Sequence, residues 1–167
     1  MPFTPFHWGP VLLIGLLLFS VFDMPSLLVS SVIPDVEPFY ALTFQPSLPF
    51  HGFFHSYLGA SILGVLVAVV LYPLRGVSNR IMAAFRLPHK SSSFRRLLLT
   101  SLFGVYSHVF LDSFLYEEMR PFFPLESNPF FGVFSSPDTY GFCSVSFLLG
   151  FVLYISRIMI SPKHNIS

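Results

Sequence analysis

The sequence predicts an all-α integral membrane protein with about four to five hydrophobic helices, folded as a single polytopic membrane domain over residues 1–167. Charged residues make up 10% of the chain and hydrophobic residues 53%, whereas charged residues are about 25% of an ordinary soluble domain. Apolar stretches close to the roughly 20 residues that cross a bilayer as a helix recur along the chain. No Gly/Ser-rich or charged linker divides it, so one domain is expected.

Three apolar stretches, at residues 56–74, 97–116 and 140–160, are simple and are predicted as transmembrane helices. The single cysteine, Cys143, lies in the last of them and excludes an intrachain disulfide framework. Membrane lipids are therefore the surroundings expected for most of the apolar side chains.

The first apolar region, residues 11–33, allows two interpretations. Asp23-Met24-Pro25 interrupts it, and a proline inside a helix removes a backbone donor and kinks the chain. The region forms either one kinked helix that crosses once, or a hairpin in which residues 7–22 descend and a half-helix at residues 27–33 returns. In the hairpin, Asp23 caps the second helix and Pro25 lies in its first turn.

Positively charged residues set the predicted orientation. Six of the nine Lys and Arg residues lie at residues 75–96, and Arg157 and Lys163 follow the last apolar stretch. By the positive-inside rule the 75–96 loop and the C-terminus are cytoplasmic, and the loops at residues 34–55 and 117–139 are extracytoplasmic. Membrane topology thus accounts for the basic run, and a net charge of +1 gives no reason to expect nucleic-acid binding.

Ionisable residues occur in short clusters beside the apolar stretches. Such residues are costly at membrane level, so they indicate a functional site. In the predicted orientation most of them meet at the extracytoplasmic end, and His7 joins them only if the first region is a hairpin. His108 lies one helical turn from Asp112, on the same face. The candidate site residues are His7, Asp35, Glu37, His51, His55, His108, Asp112 and Glu118.

These residue types predict a metal centre. Imidazole and carboxylate ligands suit zinc and its first-row neighbours, and the i, i+4 pairs His51/His55 and His108/Asp112 each present two donors to one ion. The set exceeds one tetrahedral site, so we expect either two ions or one ion whose ligands are oriented by further residues. Zinc is expected first, with manganese or iron as alternatives. The predicted metal ligands are His7, Asp35, Glu37, His51, His55, His108 and Asp112.

Each cluster also has a structural interpretation. His51 could be a hydrogen-bonding residue at headgroup level, and His108 and Asp112 could simply pair with each other. Glu117 fits the edge of a solvated loop. The convergence of four separate clusters favours a site over these readings.

The same residues resemble a known family. The chain begins Met1-Pro-Phe-Thr-Pro-Phe-His7, continues with Asp35-Val-Glu37 and His51-Gly-Phe-Phe-His55, and then carries Ser107-His108-Val-Phe-Leu-Asp112 and Pro121-Phe-Phe-Pro124. These motifs are similar to those of a small subgroup, starting MPFTPFH, of the predicted membrane-bound metal-dependent hydrolases, also described as inner-membrane-associated hydrolases. The resemblance implies a multi-helix membrane protein in which the seven predicted ligands bind metal. It also supports the hairpin, because His7 belongs with the other ligands.

Two departures from the relatives bear on the chemistry. Gly52 stands where relatives commonly carry an arginine, which removes a basic group suited to an anionic substrate. Tyr116 and Glu118 stand where the closer group has a histidine and an aspartate. Glu118 could replace one of these as a metal ligand better than Tyr116 could.

The functional prediction is metal-dependent hydrolysis at the extracytoplasmic interface, with Glu37 or Glu118 accepting the proton of a water molecule. A lipid, a lipid-linked phosphate or a small ester fits this location. The alternative is a non-catalytic metal-binding membrane protein, namely an ion carrier, a sensor or a structural metal site. A third reading is haem bound by His55 and His108. The chain has no Gly-x-Ser-x-Gly motif, which argues against a serine hydrolase.

Overall fold

The computed structural model describes residues 5–45, 49–87 and 92–160, and these residues form helices, turns and loops without a strand. The α-helices are α1 (Pro5–Leu17), α2 (Met24–Ser30), α3 (Val36–Phe44), α4 (Tyr57–Ala84), α5 (Phe94–Ser113) and α6 (Ser136–Ile160). Two single-turn 3-10 helices, Ile33–Asp35 and Phe53–His55, precede α3 and α4. The predicted all-α class is confirmed for this part of the chain, and Lys163 lies outside it.

Three stretches are long and apolar enough to cross a membrane, namely Met24–Phe44, Tyr57–Ala84 and Ser136–Ile160. A shorter apolar helix runs over Phe6–Leu17. α5 has 20 residues, and its buried residues include the ionisable His108 and Asp112 as well as Thr100, Ser101 and Ser113. These polar residues make α5 less apolar than the other long helices, so the stretch predicted at residues 97–116 is not among the three candidate spans of the described chain.

The first apolar region is a hairpin of two packed helices, α1 and α2. Trp8 Nε1 donates a hydrogen bond to the carbonyl oxygen of Leu28 at 3.1 Å, and Gly15 packs against Met24 near the turn, so the helices run antiparallel. Asp23 is the N-cap of α2, because its Oδ1 accepts from the Ser26 backbone N–H at 3.1 Å. The hairpin interpretation therefore describes this region, and a single kinked helix does not.

The returning arm of the hairpin differs from the prediction. α2 ends at Ser30 rather than Ile33, and α3 follows the first 3-10 turn. The prediction of a loop over residues 34–55 is thus wrong for residues 36–44. Asp35 ends the 3-10 turn, and Glu37 lies in the first turn of α3. Pro34 explains the break between α2 and α3, since it has no backbone N–H to donate, and the apolar residues after Glu37 allow a helix to resume.

Close backbone contacts hold the helices together. α1 packs mainly on α6, while α5 packs on α4 and α2. A Cβ at Gly9 would collide with the carbonyl of Cys143, and a Cβ at Gly104 would collide with the side chain of Ser30. Small residues at such crossings let helices approach closely in a membrane, where packing replaces the hydrophobic effect. The contact at Gly104 lies one helical turn before His108 and brings α2 against the polar face of α5.

The turn between α1 and α2 is tied to the start of α5. Arg96 donates to the carbonyl oxygens of Phe19 and Phe22 at 2.6 Å each, and Ser92 Oγ donates to Asp23 Oδ2 at 2.6 Å. Arg96 and His108 are twelve residues apart on α5, which corresponds to about 18 Å along the helix. The hairpin therefore turns at one end of the bundle and places His7 at the other end, level with His108.

Candidate metal centre

Four elements meet at the end of the bundle opposite the hairpin turn. They are the start of α1, the two 3-10 turns and the last turns of α5. Two groups of their side chains could each hold a metal ion: His7, Asp35, His108 and Asp112 form one, and His51, His55 and Asp112 form the other. In each group the ligand atoms lie within 4.8 Å of one another. We call them the first and second ligand groups; Asp112 belongs to both.

The carboxylate of Asp112 lies between the imidazole rings. Its Oδ1 is 3.2 Å from His7 Nε2, and its Oδ2 is 3.3 Å from His108 Nε2 and 3.9 Å from His55 Nε2. The ring of His7 stacks on that of His108 with centroids 3.8 Å apart. Asp112 is only 1% exposed, and His55 and His108 are fully buried. One carboxylate is thus shared by three Nε2 atoms in the interior of the protein.

Unpartnered polar atoms are concentrated in this cluster. In the described part of the chain, six buried side-chain nitrogen or oxygen atoms have no hydrogen-bond partner, and Ser101 Oγ is the one outside the cluster. The other five are His7 Nδ1 and Nε2, His55 Nε2, His108 Nε2 and Asp112 Oδ1. Buried polar groups in native proteins nearly always have a hydrogen-bond partner, so several unpartnered atoms in one place indicate a binding site for an ion or a water molecule. The Nε2 atoms of three histidines and a carboxylate oxygen, which are four of these five atoms, are donors that suit a divalent cation.

In three histidines the Nδ1 atom, on the other side of the ring from Nε2, has a hydrogen-bond partner. His108 Nδ1 is 2.7 Å from the carbonyl oxygen of Ser31, His55 Nδ1 is 2.8 Å from Glu37 Oε2, and His51 Nδ1 is 2.9 Å from Glu118 Oε1. A carbonyl oxygen only accepts hydrogen bonds, so His108 Nδ1 carries a proton. In the neutral ring the lone pair is then on Nε2, facing the carboxylates of Asp112 and Asp35. A cation bound between these atoms would offset the repulsion between the nitrogen lone pair and the carboxylate oxygens.

Glu37 lies behind His55 rather than among the ligand atoms of either group. Besides the contact to His55, its Oε2 accepts from the Gly52 backbone N–H at 3.1 Å and its Oε1 from the Phe54 N–H at 3.2 Å. A Cβ at Gly52 would stand 2.7 Å from Glu37 Oε1, so the glycine permits this approach. Glu37 thereby fixes the chain between His51 and His55.

Glu118 lies at the solvent-facing edge of the centre, with its side chain 54% exposed. Partial burial acts to raise the pKa of Glu118, but hydrogen bonds from its own backbone and from His51 outweigh it and hold the pKa below the usual value. Glu118 is therefore ionised at neutral pH. It belongs to neither ligand group and contacts the metal-facing residues through His51.

The environments of His55 and Tyr116 also bear on ligand choice. Burial lowers the pKa of His55 and outweighs the opposing effect of the hydrogen bond that the ring donates to Glu37, so the neutral form that a metal ligand needs is favoured. Burial, aided by the charge of Asp112, raises the pKa of Tyr116. Tyr116 therefore remains a neutral phenol, and its ring stacks on His51 with centroids 3.8 Å apart.

The structure brings together all eight candidate residues, six of them in the two ligand groups and Glu37 and Glu118 behind the histidines. The pair His51/His55 was expected on a helix, but only His55 lies in a helical turn, the 3-10 turn Phe53–His55. The haem reading meets a steric obstacle, because the rings of His55 and His108 are 5.3 Å apart and edge to face. The carbonyl of Ser31 was missed, since a backbone acceptor has no signal in the sequence.

Comparison with known proteins agrees with a membrane location. A family model described as YdjM inner membrane protein matches residues 4–163. Searches of curated proteins and of solved structures found no match. The family match covers nearly the whole chain, including both ligand groups. The chain therefore belongs to the YdjM inner membrane protein family.

Proposed function

We propose that this protein is a membrane-embedded, metal-dependent hydrolase whose centre lies at the extracytoplasmic membrane interface. The observation that carries the proposal is the set of five buried, unpartnered atoms on His7, His55, His108 and Asp112. His7 Nε2 lies 3.2 Å from Asp112 Oδ1, and His108 Nε2 and His55 Nε2 lie 3.3 and 3.9 Å from Asp112 Oδ2, yet none of these nitrogens makes a hydrogen bond, whereas a purely structural cluster would be expected to satisfy them. Their donor types favour zinc, with manganese or iron as alternatives.

Two ions fit the donor set better than one. The first would be held by His7, Asp35, His108 and Asp112, and the second by His51, His55 and Asp112, with Asp112 shared. The second group has three protein ligands, the number that catalytic zinc sites use while leaving a position for water or substrate. A bound divalent ion supplies Lewis-acid chemistry, polarising an ester or phosphoryl group and making water more acidic.

Glu118 is the residue we propose as the proton acceptor. It is ionised, half exposed and 2.9 Å from His51, so its carboxylate stands where solvent meets the second ligand group. In ester hydrolysis the oxygen of water would bond to the ester carbon or phosphorus while Glu118 takes a proton from that water. The bond from that carbon or phosphorus to the alkoxy oxygen would then break, and Glu118 would return the proton to the leaving oxygen, which departs as an alcohol. Glu37 is assigned a positioning role, because its carboxylate already accepts three hydrogen bonds.

The orientation follows from charge. Arg96 and the hairpin turn lie at the end of the bundle away from the centre, and six of the nine basic residues fall at residues 75–96. The positive-inside rule places that end in the cytoplasm and the centre outside it. Lipids, lipid-linked phosphates and small esters could reach a site at this interface.

A non-catalytic metal protein is the second candidate. The near-complete burial of His55, His108 and Asp112 favours it, since a structural ion needs no access for substrate. The exposed carboxylate of Glu118 beside the second group favours catalysis instead.

Hydrolysis by the metal-loaded protein separates the two functions. Detergent-purified protein loaded with zinc or manganese would be assayed against a panel of lipid phosphates, phospholipids and nitrophenyl esters. We expect Glu118→Gln to keep its metal and to lose about 100-fold or more in rate. Glu117→Gln, the same change at the neighbouring exposed residue, should leave the rate unchanged. Bound metal without hydrolysis of any substrate would support the non-catalytic function.

A further inference from the structure

An apolar groove lies beside the metal centre. It is enclosed by α3, the start of α4 and the 3-10 turn Phe53–His55, and its volume is about 580 Å³. Among its lining residues Glu37 is the one carboxylate. The volume is in the range of small-molecule sites, which are mostly apolar with a few placed polar groups.

The groove extends along α4 toward the depth at which lipid tails are expected. Leu63 and Leu66 of α4 line it, and Leu66 is 54% exposed. α4 is one of the three stretches able to cross a membrane. Leu66 comes nine residues after Tyr57, about 13 Å along the helix from the end that carries the centre. At that depth a groove on the surface of a spanning helix meets acyl chains rather than headgroups or water.

The inner end of the groove reaches Glu37, which contacts His55 of the second ligand group. Glu37 and Gly52 form part of its wall, and Glu37 Oε2 is 2.8 Å from His55 Nδ1. An apolar chain lying in the groove would therefore end beside the loop that carries His51 and His55. The polar part attached to that chain would then lie next to the proposed centre.

The size of the groove favours a chain over a helix. A helix about 10 Å across occupies roughly 400 Å³ for each turn, so the groove would hold little more than one turn. A single acyl chain is narrow enough to lie along the whole groove. We propose that the groove binds one acyl chain of a membrane glycerolipid and presents the headgroup or ester of that lipid to the metal centre. This rests on the proposed function and narrows its substrate class to acyl lipids.

Photolabelling in vesicles tests the proposal. The protein would be reconstituted in phosphatidylglycerol vesicles containing phosphatidylglycerol with a diazirine on one acyl chain, illuminated, digested and analysed by mass spectrometry. We expect labelled peptides to include residues 33–41 and 63–66. Leu66→Trp, at an exposed lining position, should lower this labelling by roughly tenfold by filling the mouth. Val65→Trp, at an exposed position that does not line the groove, should not change it.

Ala41→Phe gives an independent test from the opposite wall, with Leu42→Phe as its control on the exposed side of α3. Each variant would first be checked for a monodisperse profile in detergent. Labelling that is unchanged in both Leu66→Trp and Ala41→Phe would overturn the proposal. So would labelling that is no stronger in the groove than on the exposed face of α6, since that pattern describes bulk lipid only.

The labelling does not need a bound metal, so the two proposals can fail separately. If the groove is still labelled in His55→Ala and the wild type binds no metal, the hydrolase proposal is refuted and the acyl-chain proposal stands. If the protein hydrolyses a short nitrophenyl ester in a metal-dependent way and the groove is not labelled, the acyl-chain proposal is refuted and the hydrolase proposal stands.

Discussion

Replacement of Glu37 by glutamine tests whether this carboxylate orients His55 or binds metal itself. In the wild type Glu37 accepts from His55 Nδ1 at 2.8 Å and from the backbone N–H groups of Gly52 and Phe54. Glutamine keeps one oxygen but turns an NH₂ group toward these donors and removes the negative charge. Loss of such an orienting partner typically lowers metal affinity 10- to 100-fold, which is about 1.4–2.8 kcal/mol.

The loss should be confined to the second ligand group. Zinc competition titrations of detergent-purified protein should show two classes of site in the wild type, one for each group. In Glu37→Gln one class should weaken by about 10- to 100-fold while the other stays within about threefold. Glu117→Gln, an exposed residue, is the matched control and should match the wild type. Equal affinities in Glu37→Gln and the wild type, or loss of both classes, would refute the positioning role.

Three further perturbations test the fold and the ligand chemistry. Gly104→Ala should reduce stability by about 1–3 kcal/mol, because its Cβ would collide with Ser30, whereas Gly76→Ala, with open space around it, should be neutral or slightly stabilising in the same thermal melts. Asp23→Ala should lower the free energy of unfolding by about 1–2 kcal/mol, because α2 loses its N-cap. The metal content should not change, since Asp23 lies at the end of the bundle away from the centre. Loss of metal in this variant would contradict that separation. Metal affinity should fall as the pH is lowered, because protons compete for the histidine nitrogens; since burial lowers the pKa of His55, the fall should begin below the ordinary histidine value of about 6.5, and an affinity that does not change with pH in zinc titrations would contradict histidine ligation.

The sequence predicted that the candidate residues would lie together, because the cost of ionisable groups in a membrane restricts them to a few places. For His108 and Asp112 the prediction needed only helical spacing, because residues four apart on α5 lie on the same face, and both belong to the first ligand group. His7 needed an inference about topology, since it reaches the centre only through the hairpin at Asp23. That inference was possible because a proline and an N-cap residue leave a readable signal.

The remaining features depend on contacts that sequence spacing does not encode. Glu37 is eighteen residues from His55, and nothing in the chain indicates that its carboxylate accepts the Nδ1 proton of that ring. The carbonyl of Ser31 is a backbone group, and every residue offers one. The helix α3 lies in a stretch that was predicted as a loop, and Pro38 is compatible with this helix because proline is tolerated in the first turn.

The most direct test of the metal centre is elemental analysis of the purified protein, with bound metal counted per chain. The wild type, loaded with zinc, should hold two ions, one for each ligand group. His108→Ala should lose the first, His55→Ala the second, and Asp112→Ala both, because Asp112 is shared. A wild type that binds no zinc, manganese or iron after reconstitution would contradict the account and leave the buried histidines and Asp112 as a structural polar cluster.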